Sequence, residues 1–451
     1  MKTMNMTQGK PIGLLLRFSL PLIVGNIVQQ LYSIVDTAIV GQGVGINALA
    51  AVGAADCLNW FVLWILQGLT LGFSVLVSQK YGAGDRKGLK KTVAMSAVLC
   101  IAIGILLTIV GEAAAMPALR MLNTPDSIIE GALLYLRIIY GGILIIMAYN
   151  MASCILRALG DSKTPMYAIA IATVVNITLD LLFVMVFHWG IAGAAIATVI
   201  SQFFSFLFCM IKIGKLVVLQ IDRSDCLIDE GLCGSLLKNG IPNGLSMAVI
   251  AIGGMVVQFV VNEQGTIFVA GFTATNKLYG LLEAVSYAYG AAMSTYMGQN
   301  MGARCIKRIR QGMRNMLPTA AGTAAVISVI MIVWGRYLLR LFISGDTAQA
   351  LEVETIAYQY LFVMSLFLWI LYPVYVFRAA LQGLGYSGIA SVSGIVELAL
   401  RAFVVLVLVP GIGIPLLYFA ESAAWIGSGI YLMSCFYWQV HRVERQYGEV
   451  K

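Results

Sequence analysis

Long runs of apolar residues, separated by short polar stretches, form the main pattern along this chain of 451 residues. A helix needs about 20 consecutive apolar residues to cross the hydrocarbon core of a bilayer. By that measure the pattern predicts an all-α integral membrane protein with twelve transmembrane helices. Their predicted ranges are 14–40, 48–78, 92–115, 128–154, 165–187 and 191–213, followed by 235–262, 267–297, 313–334, 351–378, 388–409 and 415–438.

The second half of the chain repeats motifs of the first half. SQKYGAGDRKGLKK (78–91) after the second span matches GQNMGARCIKRIRQ (298–311) after the eighth, and LRALGDS (156–162) matches LQGLGYS (381–387). Because each repeat holds an even number of spans, we predict two parallel six-helix repeats, as in transporters that alternate access between two bundles. The predicted domains are an N-lobe (1–213, spans one to six), a cytoplasmic linker (214–234), a C-lobe (235–438, spans seven to twelve) and a cytoplasmic tail (439–451).

The charges separate the two sides of the predicted membrane protein. The chain is 60% hydrophobic and 11% charged, whereas soluble proteins are about half apolar and a quarter charged. Lys and Arg concentrate on one side, at 80–91, 157–163, 212–238 and 304–314 and at Arg378, whereas the other side carries only Arg120, Arg336 and Arg340. Cytoplasmic loops carry the positive excess. We therefore expect both termini in the cytoplasm, a plasma or inner membrane location, and no nucleic-acid partner despite the net charge of +8.

A carboxylate interrupts the apolar first span, at Asp36. An Asp at the centre of a membrane helix costs about 2.5–3.5 kcal/mol on insertion scales, so it is expected to face water or a partner. Helical spacing places Gln29 and Tyr32 on the same face as Asp36. Pro21, earlier in this span, leaves one backbone carbonyl without its donor, so the helix can bend there.

The fifth and sixth spans supply further polar groups. Asn176 and Asp180 are four residues apart and share one helix face, and Thr198 of the sixth span offers a hydroxyl near that face. Together with Asp36, these oxygens can bind a hard cation such as Na⁺. Alternatively, two nearby carboxylates can share a proton. The remaining interpretation is a static polar patch that holds the helices together.

The polar residues of the second half differ from those of the first. Glu397 and Arg401 are four residues apart in the eleventh span and predict a structural ion pair. The eighth span contains Lys277 and Glu283, to which the sequence assigns no role. Met and aromatic side chains suit either promiscuous apolar binding or core packing. The candidates of this kind for a substrate cavity are Met255, Tyr279, Tyr287 and Met293.

The sequence offers no pattern for catalysis or for a bound cofactor. Its eight cysteines form no CxxC motif and no Cys/His cluster, so we expect neither disulfides nor a zinc site. It contains only two histidines, both near span ends, and no HExxH motif. We therefore expect no enzyme activity, no catalytic residue and no cofactor other than a coupling ion.

The ordered set of motifs QLYSIVDTAIVG, GDSKTP, NITLD and GQNMGA resembles the MATE (multidrug and toxic compound extrusion) family over nearly the whole chain. The resemblance implies a V-shaped pair of six-helix lobes that exports amphipathic, often cationic, compounds in exchange for Na⁺ or H⁺. It implies that Asp36 and Asp180 take the coupling ion, with Asn176 and Thr198 as neighbours. Gln29 and Tyr32 match the polar stripe that relatives carry in the substrate cavity.

The resemblance also implies that Pro21 is a hinge. The chain departs from some relatives because it lacks a carboxylate in the seventh span and a lone Asp in the tenth, which disfavours a C-lobe cation site. Two alternatives remain: a flippase of lipid-linked precursors from the same wider superfamily, and a non-transporting membrane receptor. The expected partners are small-molecule drugs or metabolites and the lipid bilayer, and the chain is expected to be a monomer.

Overall fold

The computed structural model describes residues 3–341, 343 and 348–447, and these residues form helices and short connections without any strand. The helices of the first half are α1 (Pro11–Gly43), α2 (Ile46–Gly82), α3 (Arg86–Met121), α4 (Asp126–Gly141), α5 (Ile143–Ala158), α6 (Lys163–Asp180) and α7 (Gly190–Gly214). Those of the second half are α8 (Glu230–Glu263), α9 (Thr266–Gly302), α10 (Ile306–Leu339), α11 (Ala348–Gly383), α12 (Ser387–Phe403), α13 (Val409–Ile412) and α14 (Ala420–Tyr447). The predicted all-α membrane fold is confirmed.

Each of the twelve predicted spans coincides with one helix or with consecutive helices. Within the described residues, nine helices are long and apolar enough to cross a membrane, or ten when α4 and α5 count as one span bent by 50°. The other two predicted spans correspond to α9 and α14. These helices have 37 and 28 residues but are not among those that are long and apolar enough by this measure. The end of the predicted tail, 448–451, lies outside the described residues.

The chain divides into two compact units. Unit 1 contains the residues up to Asn5 together with Leu20–Gly244, and unit 2 contains Met6–Ser19 together with the residues from Leu245 onward. The divisions therefore fall inside α1 and α8, not in the connection between α7 and α8. The first turns of α1 belong to unit 2, and the first half of α8 belongs to unit 1.

Glycines allow the first half of α8 to pack closely on α2 within unit 1. A Cβ atom added to Gly68 would lie 2.6 Å from the backbone oxygen of Asn243, and one added to Gly72 would lie 2.5 Å from that of Asn239. Small residues four positions apart let membrane helices approach to backbone contact, where dispersion replaces the hydrophobic effect as the attractive force. The approach explains why these two positions of α2 lack side chains.

The segment before α1 is held in unit 2 by the repeated motif GQNMGA. The backbone N–H of Met6 donates to Oε1 of Gln299 at 2.8 Å. Arg308 donates from Nη1 to the backbone oxygen of Gly9 at 2.9 Å and from Nη2 to that of Met6 at 3.0 Å. These bonds fix the chain just before its first helix begins.

The corresponding loop of unit 1 starts α3 and holds the segment before α8. Asp85 is the N-cap of α3, and its Oδ1 accepts from the backbone N–H of Gly88 at 2.8 Å. This bond, and then the bond from Lys80 at 3.0 Å, hold the pKa of Asp85 below its usual range. Lys91 forms an ion pair of 2.7 Å with Asp229, the residue that precedes α8.

Both units contain a π-helical turn at the same place in the repeat. Leu181–Val186 follows α6, and Val404–Leu408 follows α12. The first turn begins directly after Asp180 and the second begins three residues after Arg401, and the second polar pair stands 221 positions after the first (397 − 176 and 401 − 180). Wider turns of this kind are frequent at functional sites. The π-helical turns thus occur in the same two spans, those of α6 and α12, that contain the buried polar pairs.

The core of unit 1 consists of apolar side chains from the second half of α1 to the first half of α8. Phe73, Met95 and Met147 are fully buried in it, and Cys100 and Cys209 pack among them as small apolar groups. All eight cysteines of the chain are free thiols. Packing in this core fixes the positions of the helices that carry the polar residues of unit 1.

Candidate functional site

The polar stripe of α1 contributes Tyr32 and Asp36. Asp36 is half-buried, and its Oδ1 atom is out of contact with solvent and accepts no hydrogen bond from the described side chains. The hydroxyl group of Tyr32, one turn earlier, is hydrogen-bonded to the side chain of Thr198 on α7. The bond joins α1 to α7 beside the Asp36 carboxylate.

The end of α6 contributes the most deeply buried polar groups of unit 1. Asn176 is 1% exposed and Asp180 is 0% exposed. The amide of Asn176 donates from Nδ2 to Oγ1 of Thr198 at 3.4 Å. Its own Oδ1 and both oxygens of Asp180 receive no hydrogen bond from the residues described. Asp180 is the last residue of α6 before the π-helical turn, so the wider turn begins at this carboxylate.

The structure brings Asp36 and Asp180 together. Their carboxyl groups lie within hydrogen-bonding reach of each other. Two ionised carboxylates are both acceptors, so a bond between them requires that one of them carry a proton. No ion pair among the described residues includes either side chain. The pair is therefore chemically suited to share a proton or to receive a small cation between its oxygens.

A third carboxylate, Asp56 of α2, interacts electrostatically with the hydroxyl groups of Tyr32 and of Tyr135 on α4. Asp56 was not among the residues predicted from the sequence. The available signal was a charged residue in the middle of a predicted apolar span, the same signal that selected Asp36.

The oxygen atoms available for a cation come from four side chains. Besides the two carboxylates, they are Oδ1 of Asn176 and Oγ1 of Thr198. Within the described part of the chain, no three His, Cys, Asp or Glu residues form a group that could hold a metal ion. Any Na⁺ bound here would thus depend on amide and hydroxyl oxygens as well as on the carboxylates, which is the oxygen chemistry that hard cations prefer.

Unit 2 contains a buried network of charges at the position that corresponds to this site. Glu397 and Arg401 of α12 lie 3.6 Å apart, but each has a closer partner. Arg378 of α11 donates from Nη2 to Oε1 of Glu397. Arg401 donates to Oε2 of Glu421 on α14 from Nε at 3.1 Å and from Nη2 at 2.7 Å. The predicted ion pair is thus the centre of a chain of four alternating charges.

Arg378 has a buried carboxylate partner. The charge pattern predicts that it lies on the cytoplasmic side, and the structure shows it buried within α11 at 5% exposure and paired with Glu397. The physical reason is that Glu397, on another helix, compensates its charge, and a count of basic residues along the chain cannot detect such a partner.

The two unassigned charges of α9 have different surroundings. Lys277 is exposed. Glu283 is half-buried, and its Oε1 accepts from the hydroxyl groups of Tyr279, at 3.3 Å, and of Tyr375. Tyr287 stacks obliquely on Tyr375, with ring centres 4.8 Å apart.

The candidate cavity residues vary in exposure. Gln29 is exposed, and Tyr32, Met255, Tyr279 and Tyr287 are half-buried. Met293 is 0% exposed in the interior of unit 2, where it packs instead of facing an open space. The ring of Tyr279 also stacks on Trp425 of α14 at 6.0 Å between centres.

Comparison with known proteins places the chain in a family. The model of the MatE family matches residues 21–182 and again residues 242–408, so the repeat is confirmed. The chain is 36% identical to the "Probable multidrug resistance protein YpnP" of Bacillus subtilis (strain 168) over 352 residues, 78% of each protein. It is 29% identical to "Probable multidrug resistance protein YoeA" of the same organism, with 72% of each covered.

A solved structure shares the fold. The structure titled "Crystal structure of MATE in complex with MaL6" superposes with a TM-score of 0.90 at 22% sequence identity, covering 99% of this chain and 100% of that one. The repeated family match extends over most of the sequence. The chain belongs to the MatE family and is a multi-pass membrane transporter.

Proposed function

We propose that the protein is a secondary active exporter of amphipathic, often cationic, compounds in exchange for Na⁺ or H⁺. The observation that carries the proposal is the pair formed by Asp36 and Asp180, which lie within hydrogen-bonding reach and have no cationic partner among the described residues. The names of the two Bacillus relatives, probable multidrug resistance proteins, support drugs as the substrate class.

The pair can couple an ion to transport because its charge changes with occupancy. When a proton or Na⁺ is bound, one negative charge is neutralised and the α1 and α6 carboxylates can approach each other. When the ion leaves, both carboxylates are charged and repel. An ion shifts a conformational equilibrium only by its differential affinity for the two forms, and this pair provides that difference. One elementary charge that moves across a membrane potential of 100 mV supplies about 2.3 kcal/mol, and this free energy is available to the change between the two forms.

The remaining parts of the proposal concern orientation and substrate. We place both termini in the cytoplasm of a cell with a plasma or inner membrane, because the basic loops lie on that side. The residues proposed to contact substrate are Gln29 and Tyr32 in unit 1 and, separately, Met255, Tyr279 and Tyr287 in unit 2. Each of them retains exposed atoms. Asn176 and Thr198 are proposed to orient the coupling ion. The functional form is proposed to be a monomer.

Transport by the purified protein in proteoliposomes tests the proposal. Drug movement is measured with a proton gradient alone, with a Na⁺ gradient alone and with neither. We expect accumulation against the drug gradient under one of the two ion gradients. Transport that follows only the drug's own gradient, whichever ion gradient is imposed, would contradict ion coupling. Protein-free liposomes correct for passive permeation of amphipathic compounds.

A further inference from the structure

Five charged side chains from four helices meet inside unit 2. Each of the two guanidinium groups holds a carboxylate of its own at hydrogen-bond distance: Arg378 holds Glu397, and Arg401 holds Glu421. The fifth group, Glu283, is joined to this cluster through Tyr375. The Tyr375 hydroxyl group donates to Glu283, and the Arg378 guanidinium lies 5.8 Å from the centre of the Tyr375 ring. The direct hydrogen bonds of Glu283 thus come from phenol groups.

The charges of this cluster do not balance. Arg side chains remain protonated in proteins, so the cluster contains two positive charges and, if every carboxyl is ionised, three negative charges. An unbalanced charge inside a membrane protein is costly, and such residues mark ion pathways or proton relays. A proton or a cation on one carboxyl group would remove this imbalance.

Glu283 is the carboxyl that can change its charge most readily. Glu397 and Glu421 would each give up a direct guanidinium partner on protonation, whereas Glu283 would give up only part of its bonding to two neutral hydroxyl groups. A phenol can donate to a carboxylate, and it can also accept from a carboxylic acid. The Tyr279 and Tyr375 hydroxyl groups can therefore bond Glu283 in both states.

We infer that Glu283 is a proton-binding site of unit 2, separate from the Asp36–Asp180 pair of unit 1. A proton fits the surroundings better than a metal ion does. Glu283 is the only carboxyl of the cluster without a guanidinium partner, and a hard cation requires several oxygen ligands. The inference goes beyond the proposed function, and it holds whether or not Asp36 and Asp180 couple transport.

The titratable and charged groups that surround Glu283 can be named for each neighbouring helix. They are Tyr279 and Tyr287 of α9, Tyr372, Tyr375 and Arg378 of α11, Glu397 and Arg401 of α12, and Glu421 of α14. The part of α8 in unit 2 has no titratable residue between 245 and 262, and α10 has none between 315 and 335. Protonation of Glu283 thus changes a cluster whose other carboxylates already have cations.

Infrared difference spectroscopy of the purified full-length protein tests the inference. Spectra recorded as the pH is lowered show the carbonyl stretch of each newly protonated carboxyl group. We expect Glu283→Gln to lose one such band that Asp36→Asn and Asp180→Asn retain. Glu263→Gln, at the exposed end of α8, is the matched control and should keep the band. Because the Asp variants leave the band in place, a failure of the proposed coupling site remains distinguishable from a failure here.

A second variant keeps the carboxyl and changes its partner. Tyr375→Phe removes one hydroxyl group that bonds Glu283, so we expect the band to remain but to shift in frequency. The Tyr375→Phe variant also provides a test if Glu283→Gln does not fold. The inference is wrong if Glu283→Gln retains every band of the unsubstituted protein, if Tyr375→Phe leaves every band unshifted, or if the Glu283 band responds to Na⁺ concentration at constant pH instead of to pH.

Discussion

Lys91 and Asp229 form an ion pair of 2.7 Å that joins the start of α3 to the residue before α8. Asp229 also accepts at 3.0 Å from the backbone N–H of Leu232, in the first turn of α8. The hydrogen bond from Lys91, and then that from Leu232, lower the pKa of Asp229 below its ordinary value of 3.8. Lys91 thus contributes to fixing where the first half of α8 begins within unit 1.

We expect Asp229→Asn to lower the unfolding temperature slightly at neutral pH. Because the folded-state pKa of Asp229 is depressed, its contribution to stability is complete above the unfolded-state pKa and is lost as the pH falls through the folded-state pKa. The difference between the variant and the unsubstituted protein should therefore be constant near neutrality. It should begin to fall at about pH 4, close to the unfolded-state pKa of about 3.9, and vanish only below the lower folded-state pKa. Thermal unfolding in detergent at several pH values measures it.

Glu230→Gln is the matched control, because Glu230 is the adjacent acid and is exposed. It should leave the unfolding temperature unchanged at every pH. If Asp229→Asn and Glu230→Gln behave alike, the Lys91–Asp229 pair does not stabilise unit 1.

Asp36→Asn and Asp180→Asn are each expected to abolish ion-coupled transport while the protein remains folded. The amide keeps the size of the carboxyl and its ability to form hydrogen bonds, but it neither titrates nor carries charge. Transport in proteoliposomes under the effective ion gradient provides the measurement, with thermal unfolding as the test of folding.

Asp126→Asn is the control for these variants. Asp126 is an exposed carboxylate in the first turn of α4, away from the buried pair, so its variant should transport normally. If Asp36→Asn and Asp180→Asn both still drive accumulation against a drug gradient, the coupling ion binds elsewhere.

The positions of the helices follow directly from the sequence, and some of their details do not. A run of apolar residues of sufficient length has few alternatives to a helix in lipid, since every backbone polar group must be bonded internally. The bend of 50° between α4 and α5 lies at Gly141 and Gly142, where glycines permit a kink but do not specify its angle, and the π-helical turn at Leu181–Val186 has no separate signal in the apolar pattern. The division of α1 at Ser19 depends on contacts between helices. None of these features changes the apolar pattern.

The polar site could be predicted only in part, because the contacts between helices that complete it are not visible in the sequence. Asp36 and Asp180 are conspicuous in apolar spans, and helical spacing alone puts Asn176 beside Asp180. Asp56 carries the same signal but was missed, and the pairing of Arg378 with Glu397 depends on how the consecutive helices α11 and α12 pack against each other. A sequence shows that a buried charge needs a partner, but not which helix supplies it.

The predicted orientation can be tested by labelling single cysteines in a cysteine-free protein on intact cells. Met121 and Leu341 are 84% and 77% exposed at the ends of α3 and α10. Cysteines at these positions should react with a membrane-impermeant reagent added outside. Cysteines at Lys87 and Lys307, exposed near the other ends of the same helices, should react only after the cells are opened. External labelling at position 87 or 307 would contradict the orientation.

Pro21 is predicted to act as a hinge of α1. It lies inside the helix, two residues after the point where α1 passes from unit 2 to unit 1. Its missing N–H leaves the carbonyl of Arg17 without an intrahelical donor, so bending here breaks no existing bond. Pro21→Ala restores the donor and favours a straight helix. We expect drug binding to be largely retained and turnover to fall severalfold, as measured by equilibrium binding and by transport rates in proteoliposomes.

Pro117→Ala separates a hinge from a general effect of removing proline. Pro117 is also inside a long helix, α3, but it is exposed near the end of that helix and away from both unit boundaries. Restoring its backbone donor should leave turnover unchanged, since no part of the proposed coupling site depends on bending there. If α1 bends at Pro21 in response to the charge on Asp36, turnover should be slow in Pro21→Ala and normal in Pro117→Ala. Normal turnover with intact ion dependence in Pro21→Ala would show that α1 transmits the change without bending at this residue.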